Sequence, residues 1–229
     1  MRIVRTARGA RLLQGGAVVS EVLSAPGPTH SLFDVLAASI AMFARGDRLA
    51  LLGFAGGGLV APLRAMGCFH PLRAVDLSAE GEQLFRELSS PWCAEVRVEI
   101  EDAAHWLRRQ RARFDLILED LSVLGPEGET KPELSYQLLP QLIADRLSSH
   151  GVAVYNLLPV PKRSMKGLVR QVVRAHGAGV QLLLDDFENR VVLAGPGLPE
   201  AREIGSLLRR GLRALGSEQA ERILVRTVS

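Results

Sequence analysis

The chain is poor in the residues that build the most recognisable sites. It has two cysteines in 229 residues, Cys68 and Cys93, with neither metal nor redox spacing. A disulfide framework is therefore not required. The histidines His30, His70, His105, His150 and His176 share no ligand spacing, so no metal site is expected. Ser122 and Ser135 lack a His/Asp partner pattern, which argues against a hydrolase triad. No apolar run exceeds strand or amphipathic-helix length, so no membrane partner or span is expected. The start, Met1-Arg2-Ile3-Val4-Arg5-Thr6, has no apolar stretch or small-residue cleavage site and does not read as a signal peptide. A cytoplasmic protein is the default reading. Lysine occurs only at Lys131, Lys162 and Lys166, yet basic side chains total 28 against 25 acidic ones, a net charge of +3. The densest arginine cluster, Arg108, Arg109, Arg111 and Arg113, has no interleaved aromatics. It reads as a helix end whose cations suit the helix dipole, not as a nucleic-acid surface.

What is present is a 47% apolar sequence with alternating strand and helix signals, long enough for one α/β domain. Short strands are expected at Arg2–Thr6, Ala10–Leu13 and Ala17–Leu23, with Gly9 and Gly15-Gly16 as turns. After Pro26-Gly27-Pro28, Thr29 or Ser31 can cap a helix running to Phe43. From Arg48 onward strands are expected up to Gly53, at Arg73–Asp76, up to Glu101, at Phe114–Asp120, Gly151–Leu158, Gln181–Leu184 and Arg190–Ala194. Helices are expected at Gly57–Met66, Ala79–Leu88, Ala103–Arg109, Pro132–Leu147, Met165–His176 and Pro199–Leu215, with a loop at Leu121–Lys131. The fold class is then α/β: a doubly wound, mostly parallel sheet of seven strands, closed by an antiparallel pair. Residues 1–28 form a β appendage and 29–229 the α/β domain.

The chemistry gathers where these strands end. Leu49-Ala50-Leu51-Leu52 runs into Gly53-Phe54-Ala55-Gly56-Gly57-Gly58, and later strands run into Asp76, Asp102 and Asp120. In a parallel sheet the carboxyl ends share one edge, where ligands bind. Glycines let a backbone approach a ligand, and acids accept hydrogen bonds from ribose hydroxyls or an adenine amino group. That order reads as an adenosyl-nucleoside site. Each element has a plain alternative: a tight turn for two of the glycines, and helix N-caps for Asp76 and Asp102. Gly53, Ala55 and Gly58 also fit a dinucleotide pattern, G-x-G/A-x-x-G. The glycine run, the later acids and the antiparallel ending fit an adenosylmethionine-type site better.

Five stretches carry a more specific likeness: Gly9 to Gly16, Leu51 to Gly58, Phe114 to Asp120, Gly125-Pro126, and Gly151-Val152-Ala153-Val154-Tyr155-Asn156. Over nearly the whole chain the sequence resembles the spermidine synthase-like branch of the class I S-adenosylmethionine-dependent methyltransferase fold. The resemblance implies that Gly53, Phe54, Ala55, Gly56 and Gly57 line the cofactor. It also implies that Asp76 binds its ribose, that Asp102 contacts its adenine, that Leu77 and Ala103 belong to the same cofactor site, and that Asp120 faces the transferred group as catalytic residue. A homodimer paired through the amino-terminal strands is the partner it implies, beside a small-molecule acceptor.

Three departures bear on the reaction. Gly56 stands where the family usually has Asp, Val123 where it has a second active-site Asp, and Ser31-Leu32-Phe33-Asp34 where it has Tyr-His-Glu. Polyamine chemistry needs such carboxylates. A glycine at position 56 is expected to leave room for the carboxylate of intact S-adenosylmethionine. Methyl transfer to an unknown acceptor is the first expectation. Aminopropyl transfer from decarboxylated S-adenosylmethionine and a non-catalytic nucleoside-binding scaffold are the alternatives. The surroundings of Asp120 separate them: an open polar pocket for an enzyme, one filled by Phe33, Leu121 and Val123 for a scaffold, an acidic one for aminopropyl transfer.

Overall fold

The structure, a computed structural model, describes residues 1–126 and 128–228. Glu127, within the expected 121–131 loop, and Ser229, the last residue of the expected domain, lie outside the described residues. The chain opens with β1 (Arg2–Thr6), β2 (Gly9–Gln14) and β3 (Ala17–Leu23), an antiparallel three-stranded sheet. Helix α1 (Leu32–Phe43) follows, its first turn capped by the Ser31 hydroxyl, which accepts from the Phe33 N–H.

Next come β4 (Leu49–Leu52), α2 (Val60–Ala65), β5 (Leu72–Asp76), α3 (Glu80–Ser89), β6 (Val96–Ile100), α4 (Ala103–Arg109) and β7 (Phe114–Glu119). The expected loop holds a small hairpin, β8 (Val123–Gly125) and β9 (Gly128–Thr130). The expected helix over 132–147 is two helices, α5 (Leu134–Gln137) and α6 (Leu139–Arg146). Pro140 sits in the first turn of α6, where its missing N–H costs no helical bond. β10 (Leu147–Leu157) starts earlier than expected, with a register break between Leu147 and Val152. α7 (Met165–Arg174), β11 (Gly179–Leu184), β12 (Phe187–Ala194), α8 (Ala201–Leu215) and β13 (Ile223–Thr227) complete the described chain.

Among the described residues the large sheet has eight strands in the order β13-β11-β12-β10-β7-β4-β5-β6, one more than expected. The addition is β13, antiparallel to β11, which alternates buried Ile223 with exposed Leu224 and so covers only one face. β10, β7, β4, β5 and β6 are parallel neighbours, and β12 returns antiparallel beside β10.

Strand periodicity divides the core. Leu49, Leu51, Leu72, Ala74, Leu116 and Leu118 face one layer with α1 and α8, and that layer also takes Ala10, Leu12 and Val22 of the small sheet. Ala50, Leu52, Val75, Ile117 and Tyr155 face the other, with Trp106, Ile143 and Val172. The small sheet is thus packed over the first layer, close to the ends of β4 and β7. Among the described residues no helix is long and apolar enough to cross a membrane.

Candidate cofactor and acceptor site

The carboxyl ends of the parallel strands meet at Gly53. Its N–H donates to the Val75 carbonyl at 2.9 Å, and its φ of +90° suits glycine. A Cβ there would lie 2.7 Å from the Asp120 carbonyl oxygen, so the glycine also allows the ends of β4 and β7 to touch. The turn that follows is held from below. Asp76 Oδ2 accepts the N–H groups of Phe54 and Ala55, each at 2.8 Å, while Oδ1 accepts from Ser78 at 2.9 Å. Asp76→Ala would leave three backbone donors, the N–H groups of Phe54, Ala55 and Ser78, without their acceptor. It is expected to cost about 1–3 kcal/mol, read as a lower denaturant midpoint; an unchanged midpoint would contradict this clamp.

The glycines after Ala55 serve packing. A Cβ on Gly56 would come within 2.7 Å of Val22 and 3.0 Å of the Ser20 hydroxyl. On Gly57 it would strike the Phe54 ring at 2.5 Å, and that ring stands edge-on to Phe85 at 5.2 Å. The space expected beside Gly56 for a ligand carboxylate is therefore filled by β3. The argument for intact S-adenosylmethionine drawn from that glycine does not stand.

A cavity of about 380 Å³ opens between the glycine turn, the small sheet and the β8–β9 hairpin. Gly53, Phe54, Ala55 and Asp120 all line it. Asp120 Oδ1 accepts from Asn156 Nδ2 at 2.6 Å, and Asn156 Oδ1 in turn accepts from Asn189 Nδ2 at 2.8 Å. Burial pushes the Asp120 carboxyl up to about 6; the charges of Glu119 and Glu129 add to this, while Lys131 and the Asn156 bond oppose it. Two further carboxylates face the cavity. Glu129 accepts from the Ser122 hydroxyl, and Glu21 lies 3.5 Å from the guanidinium of Arg11. Phe33 lines the cavity, whereas Leu121 and Val123 do not, and Val123 is exposed. The pocket is open and acidic.

The remaining expected site residues stand apart from this lining. Asp102 caps α4, accepting the His105 N–H at 2.8 Å, and Ala103 is buried behind it. Leu77 is 74% exposed and Ile100 50% exposed, just past β5 and at the end of β6, whose register pairs Asp76 with Ile100. Together they leave an apolar step beside Asp76 and Asp102. Sequence reasoning missed Arg11, Glu21, Glu129, Asn156 and Asn189. Asn156 carried a signal, a lone amide inside the buried run Val152–Leu158, and so did Glu21 within an apolar strand.

No family model and no curated protein sequence matches the chain. Solved structures do. A spermidine synthase in complex with the transition-state analogue AdoDATO superposes with a TM-score of 0.62 at 13% identity, covering 96% of this chain and 79% of that one. Spermidine synthase from Thermotoga maritima gives 0.57 at 15% identity, over 82% of this chain, which spans 66% of that enzyme's length. Human methyltransferase-like protein 13 in complex with SAH gives 0.55 at 17% identity, covering 81% and 90%. The fold is that of the class I S-adenosylmethionine-dependent methyltransferases. A small antiparallel sheet stands ahead of the parallel one, and spermidine synthases are among the solved structures that share this fold.

Proposed function

We propose that the chain is a transferase that binds an S-adenosylmethionine-type sulfonium nucleoside and alkylates an amine, with the decarboxylated, aminopropyl-bearing nucleoside as donor. One observation carries the reading: Glu21, Asp120 and Glu129 surround the cavity, and its guanidinium, Arg11, is already paired with Glu21. Such a lining favours an occupant with several positive charges and disfavours an added carboxylate.

The residues at the strand ends suit the donor's parts. The exposed Leu77 and Ile100 offer an apolar surface for a base, with Asp102 at its margin. Among the described residues Asp76 Oδ1 accepts only the Ser78 N–H, leaving a lone pair for a ribose hydroxyl. Gly53, Phe54 and Ala55 bring backbone close to the cavity beside Asp120. When bound, the donor would supply a carbon activated by positive sulfur, whose carbon–sulfur bond breaks as the amine nitrogen bonds to that carbon, the nucleoside leaving as a neutral thioether. The protein's task is then alignment and proton removal. Glu129 and Glu21 hold the acceptor's ammonium groups, and Asp120 takes the proton from the attacking nitrogen. With its carboxyl near 6, Asp120 is ionised at neutral pH and still basic enough to be protonated transiently.

Methyl transfer from intact S-adenosylmethionine is the second reading, favoured by Arg11, whose half-exposed guanidinium offers a partner for a carboxylate. The test is incubation with each donor and a set of short linear diamines, followed by mass spectrometry. Aminopropylated amine supports the first reading and a methylated product the second. No product with either donor, together with no binding, overturns both in favour of a scaffold.

A further inference from the structure

The strand that delivers Asp120 ends in an anomaly. Leu116, Ile117 and Leu118 are fully buried, and the next residue, Glu119, is as inaccessible as they are. Its partner is Lys131, which follows β9 and is also buried, with Nζ 2.9 Å from Glu119 Oε2. We propose that Glu119 and Lys131 form a buried positioning pair for the acceptor site. It holds the β8–β9 hairpin within reach of the cavity and keeps a cation behind Asp120. The proposal rests on Asp120 being the base of the proposed transfer.

The bonding supports the first role. Glu119 Oε1 accepts the Leu121 N–H at 3.1 Å and the Ser135 hydroxyl at 2.8 Å, while Lys131 Nζ donates to the Leu121 carbonyl at 2.5 Å. Leu121 is thus held through both its backbone groups, by the side chains on either flank of the hairpin. Between these anchors lies Glu129, which faces the cavity. Thr130 adds a bond to the Pro159 carbonyl at 2.8 Å. Stability alone does not call for such a pair, because well-packed apolar residues serve a buried position as well or better.

Charge supports the second role. The groups around Asp120 are Glu119 from its own strand, Lys131 and Glu129 from the hairpin, the Asn156 and Asn189 amides from β10 and β12, and Glu21 with Arg11 from the small sheet. The acids push Asp120 towards its neutral form. Lys131 opposes them, and its pull on Asp120 outweighs the push from Glu119.

The test is the Asp120 carboxyl titration by carbon-detected NMR on the full chain, assigned with Asp120→Asn. In Lys131→Met the midpoint is expected to rise by about one pH unit or more. In Lys131→Met/Glu119→Leu, which leaves no unpaired buried charge and keeps the test valid if the single variant does not fold, it should still lie above the wild type, by a smaller margin. A wild-type midpoint in every variant that folds would overturn the proposal and leave a purely structural staple. Because no donor or acceptor is present, this result is separate from the reaction itself. Shifted midpoints in a protein that transfers nothing would sink the reaction and keep the pair.

Discussion

Asp120→Asn is expected to slow transfer by about 10²- to 10⁴-fold, with donor affinity changed far less. Asparagine keeps the shape of the side chain and an oxygen for the Asn156 amide, so the cavity keeps its form. What is lost is the carboxylate proposed to take the proton. The pH dependence gives a second signature. The Asp120 carboxyl titrates near 6, so the wild-type rate should climb as pH rises through that value, and this limb should vanish in the variant. Stability moves in the opposite sense. The folded-state value is raised above the ordinary 3.8, so between about 4 and 6 the native chain binds more protons than the unfolded one. Asp120 therefore makes stability fall as pH rises across that window, and the asparagine variant should lose this slope. A variant with the wild-type rate and the same acidic limb would move the base to Glu129 or Glu21.

Gly81→Ala is expected to have the largest effect on the fold near the site. In an exposed helix this change stabilises by about 1 kcal/mol. Here the new Cβ would point at the Ala55 carbonyl oxygen from 1.6 Å and the Gly56 nitrogen from 2.9 Å. Both are backbone, so no flexible side chain can yield. Either α3 or the glycine turn must move, and the turn is the part clamped by Asp76 through Phe54 and Ala55. We expect overpacking to cost about 1–3 kcal/mol, and donor binding to be lost with the displaced turn. Urea unfolding and a donor titration read these separately. A stabilised variant that still binds donor would contradict the packing of α3 on the turn.

The sequence was most legible where local pattern and tertiary role coincide. Apolar runs ending in Gly53, Asp76 and Asp120 located β4, β5 and β7, since a parallel strand buried on both faces leaves a continuous apolar trace. β13 was missed because only one of its faces is covered, and its Arg226 and exposed Leu224 blur the trace. Within the site, Asp120 could be found from its own strand. Glu21, Glu129, Asn156 and Asn189 come from a separate sheet, a hairpin and two strands, and only folding brings them to one cavity. Gly56 shows the limit of motif reasoning. A missing side chain reads as free space, yet β3 fills that space with Val22 and Ser20. Asp76, expected as a ribose ligand or a helix cap, organises the glycine turn through the N–H groups of Phe54 and Ala55.

The central claim is that this acidic cavity receives a sulfonium nucleoside with a cationic tail. Calorimetric titration of the purified chain with decarboxylated and intact S-adenosylmethionine, side by side, tests it most directly. Tighter binding of the decarboxylated molecule, weakened in Glu21→Gln/Glu129→Gln, is the result this account predicts. Tighter binding of the intact molecule, or heat from neither, would contradict it.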